Sequence, residues 1–165
     1  MKATQEIFGQ FSKALGALVG AVREAGRADS LVAIGVVTAD AVQAVGASLL
    51  FAGDLPEDAP AYRRLSPVEW SQSNEAAFAE LNQYLKANRP LGGESDQEYR
   101  SRVSIVFDAC ASAMKMMDLR REFPRLAFLT FAGVDPNPAL EEAEAEFVRR
   151  MNPPDVFDEW RAEFG

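Results

Sequence analysis

Histidine is missing from the 165-residue chain, and cysteine occurs once, at Cys110. These shortages exclude Ser-His-Asp and Cys-His catalysis, histidine-ligated metal centres, zinc fingers and any intramolecular disulfide. Basic residues are outnumbered: 17 lysines and arginines stand against 25 acids, a formal charge of −8. A nucleic-acid binder neutralises phosphates with cations, so this balance argues against that class. No apolar run approaches the ~20 residues that span a bilayer, and no membrane association is expected. Phosphate-binding glycine loops are lacking too, because Gly92-Gly93 has the spacing of neither the P-loop nor the dinucleotide fingerprint. The acids around Asp54, Glu57 and Asp58 lack the alternating oxygen ligands of an EF-hand. No cofactor and no metal are expected. A glycosidase needs only two carboxylates, but 25 acids offer too many chance pairs to single one out. The expectation is a protein that is not an enzyme.

What is present is an ordinary globular composition, 48% hydrophobic and 25% charged. That length and content suit a single domain over residues 1–165 with its own core. The uncharged stretch Ala14 to Val22 follows Lys13 and superficially resembles the core of an export signal. However, large apolar residues at 7, 8, 11, 15, 18, 19 and 22 fall at helical spacing, and no small-x-small site follows before Arg23. The stretch therefore reads as a helix from about Thr4 to Ala25, and the expected setting is cytoplasmic. Gly16 and Gly20 share one helix face and invite close approach of another element. Gly26 is the stop.

Two β-rich runs follow, Leu31 to Thr38 and Val42 to Phe51, joined as a hairpin through Ala39-Asp40-Ala41. Gly53 to Leu65 reads as an exposed loop. Ser66-Pro67-Val68-Glu69 has the form of a capped helix start, with Trp70 next, and a helix is expected from about Asn74 to Ala87. Asn88 to Gly93 breaks it. Ser95 and Glu98 form a capping box that opens the longest helix, about Asp96 to Glu122. Tyr99, Val103, Val106, Phe107, Cys110, Met114 and Met117 step along it by threes and fours, so Cys110 reads as inert packing. Phe123-Pro124 ends that helix, and Leu126 to Val134 reads as a third strand. After the turn Asp135-Pro136-Asn137-Pro138 comes a helix to Met151. A last helix follows Asn152-Pro153-Pro154-Asp155, with Val156, Phe157, Trp160 and Phe164 on one side. This order predicts an α+β fold: a small, mostly antiparallel sheet, a hairpin plus a later strand, packed with five to six helices.

Charge is concentrated at the C-terminal end. Residues 135–165 hold nine acids and three arginines, a net −6 of the total −8. Glu141, Glu142, Glu144 and Glu146 occupy the first half of their helix, and Arg149 and Arg150 its last turn, as the helix dipole prefers. A solvated helix face accounts for this pattern. The sharper reading is an acidic surface that steers a basic partner, with Asp155, Asp158 and Glu159 as a second rank. Trp70 and Trp160 each admit a core role or a contact role. An apolar C-terminal helix face left uncovered is also a contact for another chain, which keeps a homodimer open.

Leu65-Ser66-Pro67-Val68-Glu69-Trp70 after the apolar hairpin, a later strand ending Gly133-Val134-Asp135, and Arg150-Met151-Asn152-Pro153 make a recognisable order. It is similar to that of a family of small bacterial domains of unknown function, recurrent among predicted immunity proteins of polymorphic toxin systems. The resemblance covers most of the chain and carries over no catalytic residue. It implies a protein that binds a cognate effector toxin with a basic cleft and occludes its active site. The acidic residues Glu141, Glu142, Glu144, Glu146, Asp155, Asp158 and Glu159 are then the expected toxin-binding surface. The alternatives are a small ligand-binding domain or enzyme with a pocket between the sheet and the long helix, or an oligomeric scaffold.

Overall fold

The computed structural model describes residues 2–39, 42–74, 76–89, 93–132 and 137–165, with the backbone alone at 72–74. Asp40-Ala41 of the hairpin turn, Gly92, and Gly133-Val134-Asp135-Pro136 lie outside the described residues.

The fold is α+β. Seven α-helices occur among the described residues: α1 Lys2–Glu24, α2 Ala61–Leu65, α3 Ala79–Ala87, α4 Asp96–Met116, α5 Leu119–Glu122, α6 Pro138–Met151 and α7 Pro154–Phe164. The strands are β1 Leu31–Thr38, β2 Val45–Phe51, β3 Gln72–Asn74 and β4 Ala127–Phe131, arranged in the order β3-β2-β1-β4. β1 and β2 form the expected antiparallel hairpin, running from Leu31 opposite Phe51 to Thr38 opposite Val45. β3 adds antiparallel to β2, and β4 lies parallel to β1, with Ala33 opposite Ala127 and Val37 opposite Phe131. Two of the three pairings are antiparallel, and the later strand makes the sheet mixed. A parallel neighbour needs a long crossover, which the helices between β1 and β4 supply.

Several boundaries differ from the pattern in the sequence, each for a local reason. β2 starts at Val45 because Val42 adopts φ +47°, a left-handed conformation that a strand cannot run through. The Thr38 hydroxyl donates to the Ala44 carbonyl at 2.7 Å and closes the hairpin there. Ser66-Pro67-Val68-Glu69 makes a single 3-10 turn over Pro67–Glu69, and the Ser66 side chain caps no amide. The Ser95–Glu98 capping box is present in full. α4 stops at Met116, and Asp118 at φ +47° separates it from α5, so the long helix ends six residues before Glu122. The loop before Ser66 contains α2, and the helix expected from Asn74 begins as a 3-10 turn at Ala76–Phe78.

α1 packs on α4, α4 on α6, and α6 on β4, around a core that holds Phe11, Leu15, Ile34, Val36, Cys110, Met114 and Phe147. Cys110 is 0% exposed, and burial pushes its thiol well above the usual range, so it is packing. Beside Gly16 the nearest side-chain atom to an added Cβ is 4.0 Å away on Met117, and nothing lies within 4 Å at Gly20, so those glycines admit no close neighbour. The close approach occurs at Gly35. A Cβ there would lie 2.3 Å from both Cβ and Cγ of Pro67, so the 3-10 turn sits directly on β1. Trp70 is buried beside it and donates its ring N–H to the Arg63 carbonyl at 3.0 Å, an anchor to the core. No helix among the described residues is long and apolar enough to cross a membrane.

Candidate functional site

The site grows from the open edge of β4. Backbone N–H and C=O groups of a strand point alternately to its two neighbours, and an edge strand leaves one set unpaired. At Phe128 that outer set is taken by Asn152. Its Oδ1 accepts the Phe128 N–H at 2.8 Å, and its Nδ2 donates to the Phe128 carbonyl at 2.6 Å. Asn152 is held in turn by the Val148 carbonyl at 2.9 Å and by the Arg120 guanidinium at 3.0 Å. Arg120 also lies 4.8 Å from the Phe128 ring centre and donates to the Leu126 carbonyl. One carboxamide thus seals the first outward position of the strand. The Asn-Pro pair that opens α7 is there for this reason, since Asn152 serves β4 while Pro153 starts the turn into the last helix.

Two residues further, at Thr130, the edge opens into a cavity of about 550 Å³. α6 forms one wall with Leu140, Glu141, Glu144 and Ala145. Leu65 and Ser66 form another, and α7 closes it with Phe157, Trp160, Arg161 and Phe164. The aromatic wall is ordered: Phe157 and Trp160 stack with ring centres 6.4 Å apart, and Phe164 tilts against Trp160 at 5.7 Å. α7 is fastened to α2 by an ion pair between Arg64 and Glu159 at 2.6 Å. The cavity therefore lies at the sheet edge beneath α7, and not between the sheet and α4.

Two polar groups in this wall are out of the ordinary. Thr130 is 4% exposed, and its hydroxyl is buried with no hydrogen-bond partner among the described residues. Buried polar atoms are nearly always paired, so an unpaired one calls for an explanation. Glu144 is half-buried, and burial raises its carboxyl to about 7. Hydrogen bonding from the Ala132 backbone amide pulls the other way, and the nearby Glu141 charge adds to the rise. At neutral pH this group is poised between its two protonation states.

The seven acids singled out by charge fall in separate places. Glu142 and Glu146, four residues apart on α6, face α4. Glu142 pairs with Arg100 at 3.0 Å, and Glu146 pairs with Arg149 at 2.8 Å and lies 3.9 Å from Arg150. Glu141 and Glu144, three apart, line the cavity on another side of the helix. Glu159 is engaged with Arg64. Glu141, Asp155 and Asp158 are exposed and form no ion pair among the described residues. A helix with charges at 141, 142, 144 and 146 distributes them around its circumference, so one continuous acidic face does not form. Trp160 is buried against the core and also lines the cavity. No three metal-ligating side chains gather among the described residues.

Residues 13–153 match the model of a family described as a domain of unknown function, DUF4303. The chain belongs to that family. The DUF4303 match takes in the whole sheet, α6 and the Asn152 edge clamp, whereas the aromatic residues of α7 lie beyond it. No curated protein and no solved structure matches the chain.

Sequence reasoning reached Glu144 through its charge and missed Thr130, Ser66 and Ala145. The signal for Thr130 was present: a hydroxyl in a strand otherwise made of Leu, Ala and Phe. What the sequence does not carry is that β4 is an edge strand. Only the parallel pairing with β1 puts it there.

Proposed function

We propose that this DUF4303 domain binds a small, largely apolar molecule in the cavity between β4, α6 and α7. The observation that carries the reading is the cavity itself. Its volume falls within the few hundred to about 1,000 Å³ of small-molecule sites, its lining is mainly aromatic and aliphatic, and Glu144 brings a polar group to one wall. The test is an NMR titration of isotope-labelled protein with indole, a neutral aromatic of suitable size. The expected result is saturable shifts at Thr130, Ala132, Leu140 and Trp160, lost in Ala145→Trp, which fills the cavity. Indole that moves none of these amides at millimolar concentration contradicts the reading.

A second reading is favoured by Glu141, Asp155 and Asp158, which stand exposed at the acidic end of the chain with no ion pair among the described residues. Together with the resemblance to predicted immunity proteins, they support a domain that meets and occludes a toxin with a basic cleft. Complementary charge of this kind speeds association and makes it salt-dependent. Co-expression with the toxin domain encoded by a neighbouring gene is expected to restore growth. The triple variant E141K/D155K/D158K is expected to slow association and flatten its salt dependence. Absence of both rescue and complex removes this reading.

A further inference from the structure

The outer edge of β4 has three backbone positions in line: Phe128, Thr130 and, just past the strand, Ala132. Asn152 occupies the first with a carboxamide that bridges N–H and C=O of one residue. The Ala132 amide faces the Glu144 carboxyl and favours its charged form. By alternation from Phe128, the N–H and C=O of Thr130 point to the same outer side, and Thr130 lines the cavity there. The middle position therefore offers a donor and an acceptor, set as at Phe128, to whatever the cavity holds.

We infer that the cavity takes an aromatic molecule carrying a primary carboxamide, or a lactam with the same donor–acceptor edge, which pairs with the Thr130 backbone. Asn152 shows the fit directly: the same chemical group already bridges the same edge two residues earlier, with both hydrogen bonds short. The body of the ligand lies against Phe157, Trp160 and Phe164, where aromatic contacts favour a flat ring. Competing chemistries fit less well. A carboxylate meets Glu141 and Glu144 as well as Arg161 in the lining, and it sets an acceptor against the Thr130 carbonyl. An ammonium supplies no acceptor for the Thr130 N–H. A tertiary amide lacks the donor.

This inference rests on the ligand-binding reading above, and the ligands of the test separate the two. Labelled wild-type protein is titrated with benzamide, N,N-dimethylbenzamide, benzoate and indole, following the Thr130 amide proton. Benzamide is expected to move that proton downfield and to bind about tenfold or more tightly than N,N-dimethylbenzamide, with benzoate weakest of the four. Benzamide and its dimethyl analogue binding alike, with shifts at the cavity and none specific to Thr130, overturn the carboxamide inference and leave the cavity reading standing. No shift with any of the four, indole included, overturns both.

Discussion

Glu144 is the residue on which the chemistry of the cavity turns. Its carboxyl titrates at about 7 in the folded chain against an ordinary value of 4.5, because burial disfavours the charged form and the Glu141 charge adds to the rise. A group that keeps its proton more tightly when folded favours folding fully below pH 4.5, and that advantage is lost as pH rises through 7. Between pH 5 and pH 8 the wild type is therefore expected to lose up to about 2.5 kcal/mol more stability than Glu144→Gln, whose amide does not titrate. Urea unfolding at both pH values measures the difference, and parallel losses in the two proteins contradict the assignment. Asn152 is the second residue with a defined task. Removing its carboxamide in Asn152→Ala leaves the Phe128 N–H and C=O unpaired at a part-buried edge, and a destabilisation of roughly 2–4 kcal/mol is expected. A variant as stable as wild type would show that water replaces the side chain without loss. Neither role was legible in the sequence, where Glu144 was one acid in a run of four and Asn152 read as the lead-in to the last helix.

Among the elements, those with strong local signals were legible and those fixed by tertiary contact were not. The Ser95–Glu98 box announced α4, and the apolar periodicity announced α1, α6 and α7. Ser66-Pro67 carried an equally good helix signal and made one 3-10 turn, because Pro67 and Trp70 are committed to packing over Gly35. That packing explains why this segment follows an apolar hairpin: the hairpin supplies the bare backbone on which the turn sits. Gly35→Ala introduces a Cβ where the Pro67 ring already stands, and a rigid ring on a short turn has little room to move. The expected loss is about 2 kcal/mol, measured by thermal or urea unfolding. A variant of unchanged stability would show that the turn shifts freely off the sheet. β3, three residues long and without an apolar pattern, is a strand only because β2 offers it an edge.

For the whole molecule, the decisive feature is that one side of the sheet ends in a strand whose edge is half sealed. Asn152 closes one position, Glu144 meets another, and α7 roofs the space between them without filling it. The acidity of the C-terminal end was visible in the sequence, but its division between an ion-paired side of α6 and a cavity side depends on where α4 and α7 pack. The most direct test of the account is a crystal structure of the protein soaked with indole. The ring is expected between Leu140 and Trp160, beside Thr130, with α6 and α7 in place. A cavity closed by Phe157 or Phe164 swinging inward, or indole found only at the outer surface, would contradict it.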